Sequence, residues 1–212
     1  VPAAPSPWTA ANVVTMLRIL LVPAFAAALV VDGGRDGVWR WAALGVFVLA
    51  AATDRVDGWL ARRSDSVTDL GKLLDPIADK LLMGAALVLL SWQGELWWWV
   101  TAVVLVRELG ITLLRLALLR MVVLPASRGG KAKTVLQTVA LGLYLLPLDR
   151  LPALVGVVAA VVMAAALLVT VLTGLDYVRT ALRVRAQDRR ARADGRPAAG
   201  PVPGAAGPGA PR

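Results

Sequence analysis

The chain has 212 residues, 58% of them hydrophobic, and a mean hydropathy of +0.69, which is more apolar than a water-soluble domain of this size requires. It contains no cysteine and no histidine, which excludes thiolate nucleophiles, disulfides, imidazole bases and the usual zinc and copper sites. The formal charge is +9, but the basic residues flank apolar runs and do not alternate with aromatics, so anionic lipid headgroups are the expected partner and nucleic acid is not.

A hydrocarbon core about 30 Å thick takes roughly 20 helical residues to cross. Six segments meet that length, predicting an all-α integral membrane protein with six transmembrane helices. Residues 1–11, with Pro5, Pro7 and Trp8, are expected to form an interfacial segment. They lack a basic leader, and Arg18 interrupts the apolar run that follows, so that run is expected to be retained and not cleaved as a signal. The first span is placed at 12–31, where Arg18 either snorkels to the headgroups or reaches a phosphate pocket. The second and third spans are placed at 38–62 and 71–92, and the fourth at 96–121. Trp92, Trp97, Trp98 and Trp99 cluster where the third and fourth meet one membrane face, as an aromatic belt does. The fifth, at 131–147, is bracketed by Pro147 and Pro152, and the sixth covers 151–178.

The catalytic domain is therefore expected at 12–178. A basic segment follows, rich in Pro, Gly and Ala from about Gly195, and 179–212 is expected to be a disordered tail. Lys and Arg accumulate in the connections near 62–72 and 120–133 and in this tail, whereas the other connections are short and near neutral. That bias predicts both termini on the cytoplasmic side.

Four aspartates stand out against this background. Asp54 and Asp57 are three residues apart near the end of the second span, and Asp75 and Asp79 are four apart near the start of the third. Each pair shares a helix face. An intramembrane carboxylate costs roughly 2.5–3.5 kcal/mol, so four within 26 residues need a common purpose. Antiparallel pairing would bring both acidic faces to one depth, where one or two divalent cations would neutralise them. Oxygen donors alone point to magnesium, manganese or calcium, and magnesium is the usual choice when phosphates share the coordination shell. Gly58, Ala61 and Gly71 leave room for close approach, and Arg62 offers a planar cation to a phosphate. Asp65 and Asp69 are expected to be solvated, or Asp69 to cap the third helix. The inventory fits phosphoryl transfer. A cation transporter is the alternative of another class, although transport sites lie near the midplane at a repeat interface and no internal repeat is visible.

A second polar set lies further on. Arg107 and Glu108 fall inside the fourth span with Arg115 beyond them, and Ser127-Arg128-Gly-Gly-Lys131-Ala-Lys133-Thr134 leads into the fifth. Two glycines ahead of two lysines at a helix start form an anion receptor. Each cation also has a structural reading: Arg107 paired with an acid of another helix, with Glu108 serving as that sort of partner, and Arg128 and Lys133 as positive-inside residues.

The frame Asp54-x2-Asp57-Gly58-x2-Ala61-Arg62, eight residues, then Gly71-x3-Asp75-x3-Asp79 resembles the motif of the CDP-alcohol phosphatidyltransferases at all eight defining positions. The resemblance implies a six-helix membrane enzyme, usually a homodimer, with its polar site facing the cytoplasm. It implies that Asp54, Asp57, Asp75 and Asp79 hold two Mg2+ (or Mn2+) ions, with Asp79 also the general base. It further implies that Asn12, Gly58, Arg62, Thr68 and Gly71 lie against CDP-diacylglycerol. The stretches around Asn12, around Val106-Arg107-Glu108-Leu109 and around Lys131 are similar to the bacterial phosphatidylglycerophosphate synthase branch. That similarity implies glycerol 3-phosphate as acceptor, its phosphate held by Arg107, Lys131 and Lys133, in a multi-pass protein of a bacterial cell membrane. An enzyme using inositol phosphate on the same metal site is the nearest alternative.

Overall fold

The computed structural model describes residues 10–34, 37–64, 69–118 and 128–193. These form six α-helices: α1 Ala10–Asp32, α2 Val38–Ser64, α3 Asp69–Trp92, α4 Trp98–Leu118, α5 Arg128–Tyr144 and α6 Ala153–Ala193, with a 3-10 turn at Leu148–Arg150 before the last. The all-α, six-helix expectation holds. Most boundaries fall within three residues of those expected, but α6 continues to Ala193, 15 residues past 178. Its basic extension is rich in Ala and Arg, which are strong helix formers, so polarity did not end the helix. Residues 194–212, the remainder of the expected tail, lie outside the described residues.

Side chains are distributed as in a bundle immersed in an apolar medium. Leu20, Val106 and Leu113 are about two-thirds exposed, whereas Arg18, Arg40, Lys133 and Thr170 are buried. Thr15–Asp32 and Ala153–Arg183 are each long and apolar enough to cross a membrane. The apolar stretches of α2 and α3 are shorter, Val38–Thr53 and Lys80–Trp92, because the aspartate-bearing halves of those helices follow or precede them. The burial of Arg18, 1% exposed, removes the snorkelling reading, since a snorkelled side chain reaches the surface.

Helix α1 is the principal neighbour of both α2 and α3, and α6 packs on α5 and α4. The core between them is built on Phe25, Leu29, Phe47, Leu82, Leu90 and Leu141. Phe25 and Phe47 join α1 to α2, their ring centroids 5.8 Å apart.

One end of the bundle is fastened by Arg40, which is fully buried in the first turn of α2. Its Nη1 donates to Gln93 Oε1 (3.1 Å) and Glu95 Oε1 (2.6 Å), and its Nη2 to Glu95 Oε2. Nε donates to the Leu145 carbonyl (3.2 Å) and Nη2 to that of Tyr144 (2.8 Å). The last carbonyls of α5, which have no partner within the helix, are thereby capped by a cation, the favourable charge at a helix C-terminus. Asp32 Oδ2, at the end of α1, lies 4.0 Å from Nη1. Gln93 Nε2 donates to the Leu29 carbonyl at 2.6 Å, closing the ring of contacts.

The turn that presents Gln93 and Glu95 is shaped by Gly94, whose φ of +81° suits a residue without Cβ. Gly94 N donates to Ser91 O (3.1 Å) and Glu95 N to Leu90 O (3.0 Å), the paired bonds of a Schellman C-cap. Trp92, Trp97, Trp98 and Trp99 are all more than half exposed at this turn. Trp39 and Trp41 flank Arg40 and are also exposed, so they widen the belt expected from the sequence.

Replacing Arg40 with methionine strands Glu95 and the α5 carbonyls. The expected loss is on the order of 3 kcal/mol, read as a lower thermal midpoint in detergent. Arg40→Lys should recover part of it.

Candidate functional site

Arg40 touches the turn after α3, so the start of α2 and the end of α3 share one end of the bundle, and the two helices run antiparallel. The end of α2 and the start of α3, separated by residues 65–68, then share the other end. Positions 54 and 57 lie in the C-terminal half of α2 and positions 75 and 79 in the N-terminal half of α3. The backbone thus brings both halves of the aspartate frame to one end. The side chains of Asp54, Asp57, Asp75 and Asp79 lie outside the described part of the structure, as do those of Asn12, Gly58, Arg62, Gly71 and Lys131; Thr68 lies outside it altogether.

A described polar cluster begins one residue after Asp79. Lys80 of α3, Arg107 and Glu108 of α4 and Lys133 of α5 converge, with Glu108 at the centre. Glu108 Oε1 accepts from Lys133 Nζ and, at 3.0 Å, from Arg107 Nη1. Glu108 Oε2 lies 3.8 Å from Lys80 Nζ. Lys80 also donates to Thr112 Oγ1 (2.7 Å), and that hydroxyl donates to the Glu108 carbonyl (2.7 Å).

Helix α6 supports the cluster from behind. Arg107 Nη2 donates to Thr173 Oγ1 at 2.9 Å, and Gln137 Nε2 of α5 to Thr170 Oγ1 at 3.0 Å. Gly174 lets the arginine stem lie against the α6 backbone, since a Cβ there would sit 3.1 Å from Arg107 Cγ. Lys80, Glu108 and Lys133 of the cluster, with Gln137, line a cavity of about 90 Å³ between α3, α4, α5 and α6. Met83, Leu87, Leu105 and Met163 line its apolar part.

Two of the three cations expected to bind an acceptor phosphate, Arg107 and Lys133, are therefore brought together. The structural reading holds for Glu108, which pairs with Lys80 and Lys133 of other helices, but Arg107 meets no acid of another helix among the described residues: its carboxylate partner is Glu108 beside it on α4. Lys80 was missed, although a lysine interrupting an apolar run is itself a signal. Gln137, Thr170 and Thr173 carried no comparable signal, because isolated polar residues of this kind are common in membrane helices.

The charge arrangement has a chemical consequence. Three cations face one carboxylate, leaving a surplus of two positive charges at the edge of a mainly apolar cavity. Such a surplus suits a dianion, and a phosphate monoester is one near neutral pH.

The sequence pattern of the CDP-alcohol phosphatidyltransferases matches residues 8–172. The chain is 53% identical over 173 residues to a Mycobacterium tuberculosis protein named probable phosphatidylglycerophosphate synthase, covering 82% of this chain and 81% of that one. It is 39% identical over 145 residues to a Bacillus subtilis CDP-diacylglycerol–glycerol-3-phosphate 3-phosphatidyltransferase, covering 64% and 75%. A Rickettsia felis protein with that same name is 33% identical over 171 residues, covering 79% and 92%.

Gly174→Val should push Arg107 off the α6 backbone. The expected destabilisation is about 1–3 kcal/mol, measured by thermal unfolding in detergent, with Gly174→Ala intermediate.

Proposed function

The chain belongs to the CDP-alcohol phosphatidyltransferase family, and on that footing we propose that it transfers the phosphatidyl group of CDP-diacylglycerol to glycerol 3-phosphate, giving phosphatidylglycerophosphate and CMP. One observation carries the reading. The last aspartate of the family frame, Asp79, is followed directly by Lys80, which opens a cluster with two surplus positive charges. A site for a diphosphate and a site for a phosphorylated acceptor are thus adjacent along α3. The names of the relatives favour glycerol 3-phosphate over inositol phosphate, whose phosphate would suit the same cations. Family membership removes the transporter reading.

The donor set fits a hard divalent ion: four carboxylates at helical spacing, in a chain with no histidine or cysteine to compete. Asp54, Asp57, Asp75 and Asp79 would hold it, two Mg2+ or Mn2+ ions in all, in a family that is generally metal-dependent. Bound there, the ions supply Lewis-acid stabilisation of the charge that develops on the diphosphate.

The protein's own groups account for the remaining steps. Gly58 and Gly71 leave space against the backbone for the nucleotide, and Arg62, Thr68 and Asn12 contact the CDP moiety. Arg107, Lys131 and Lys133, joined by Lys80, orient the acceptor through its phosphate, which converts an encounter in solution into a fixed approach. Asp79 takes the proton from the acceptor hydroxyl. The freed oxygen attacks the phosphorus that bears diacylglycerol, the bond to CMP breaks, and CMP leaves with the displaced charge.

The same reading places six spans in a bacterial cell membrane, with both termini and the polar site on the cytoplasmic side. The acyl chains then remain in lipid while nucleotide and acceptor arrive from water. A homodimer is proposed on family resemblance alone.

Asp79→Asn is expected to abolish CMP release while leaving CDP-diacylglycerol binding largely intact; turnover near the wild-type rate would remove the base assignment. Lys131→Ala should mainly raise KM for glycerol 3-phosphate, by about tenfold for one lost charge-assisted contact. Assay with inositol phosphate in place of glycerol 3-phosphate tests the acceptor, and product from inositol phosphate alone would overturn the choice.

A further inference from the structure

We propose that Glu108 is a positioning residue for the acceptor, holding Lys80, Arg107 and Lys133 in the array that receives the phosphate while taking no part in bond making. The inference rests on the acceptor site proposed above and concerns a residue to which that reading gives no task.

The three cations come from three helices, and two of them are lysines on flexible four-carbon stems. Placed close together in a weakly polarisable interior, they repel one another and would turn apart. Glu108 is the group they have in common. One of its oxygens accepts from both Lys133 and Arg107, and the other faces Lys80. Its main chain adds a second hold on Lys80, because the Glu108 carbonyl accepts from the Thr112 hydroxyl that receives the Lys80 ammonium.

Arg107 is fixed independently by Thr173 and by close packing against Gly174. It therefore serves as a rigid post to which Glu108 ties the two lysines. Arg107 Nε is buried and has no hydrogen-bond acceptor among the described residues, so the post retains donor capacity beyond its present contacts.

The charge balance favours one carboxylate over none or two. With Glu108 ionised the surplus is two, equal to the charge of a fully ionised phosphate monoester. A neutral residue at 108 leaves three mutually repelling cations without their shared acceptor. A second acid would cancel most of the attraction for the substrate.

The test is steady-state CMP release by the full-length protein in mixed micelles, with each substrate varied in turn. Glu108→Gln is expected to raise KM for glycerol 3-phosphate by about tenfold, the loss of one charge-assisted contact, with kcat and KM for CDP-diacylglycerol nearly unchanged. Glu108→Asp, one methylene shorter, should recover part of the acceptor affinity. An unchanged or lowered acceptor KM in Glu108→Gln overturns the proposal. So does a parallel loss in kcat and both KM values with a lowered thermal midpoint, in both variants, since that is the signature of a purely structural role.

Lys133→Ala separates this inference from the reading beneath it. If Lys133→Ala raises the acceptor KM and Glu108→Gln does not, the acceptor site stands and the positioning role falls. If neither substitution moves the acceptor KM, the acceptor binds elsewhere and both fall.

Discussion

Ionised side chains held between helices whose outer faces are apolar must find their partners inside the bundle. Arg40 and Glu108 are where this protein meets that constraint. Each gathers groups that are far apart in sequence: Arg40 reaches Asp32, Gln93, Glu95 and the end of α5, and Glu108 reaches Lys80, Arg107 and Lys133. Removing a central group from such a cluster leaves charge uncompensated in a medium that screens it poorly, so these contacts resist sliding of one helix along another. Apolar packing alone is more permissive, because one leucine contact resembles the next.

The two clusters differ in what they leave unsatisfied. At Arg40 the guanidinium is surrounded by carbonyls, an amide and carboxylates, and Schellman geometry fixes the turn that brings two of them. Asp32 Oδ2 is buried there without a hydrogen bond among the described residues, but it faces the guanidinium at 4.0 Å. At Glu108 the cations outnumber the acid, and the group borders a cavity. Charge is closely matched at one end, and a positive surplus remains towards the other. Lys133 stands 11 residues before Tyr144 on α5, about 16 Å along the helix from the carbonyls that Arg40 caps. A rigid far end lets the site's helices be held in place without filling the site itself.

Much of this was legible in the residues. The aspartate frame stood out, because four carboxylates at spacings of three and four have few uses within apolar helices, and all six helix starts fell within three residues of expectation. Arg40 was not legible: it lies beside a loop, and its hydrogen-bond acceptors at Gln93, Glu95, Tyr144 and Leu145 are 53 to 105 residues away. Lys80 was visible but was overshadowed by Asp79 beside it. The extension of α6 was obscured because charge density argued for a tail, although the residues that carry it are good helix formers. Sequence spacing reveals groups that meet within one helix. Groups that meet across helices emerge only once packing is known.

The polar row on α6 shows how an apolar helix can serve such a site. Thr170 Oγ1 donates to the Ala166 carbonyl and accepts from Gln137, and Thr173 Oγ1 donates to the Val169 carbonyl and accepts from Arg107. By returning its proton to the preceding turn, each hydroxyl presents only lone pairs to its neighbour. The helix thus supplies acceptors to two donor side chains without introducing a buried charge or a stray donor of its own. Gly174, next in the row, adds the space that Arg107 needs to reach Thr173. A carboxylate in place of either threonine would also accept those bonds, but it would cancel part of the positive surplus on which the proposed anion binding depends. Threonine anchors the cation and leaves its charge available to the site.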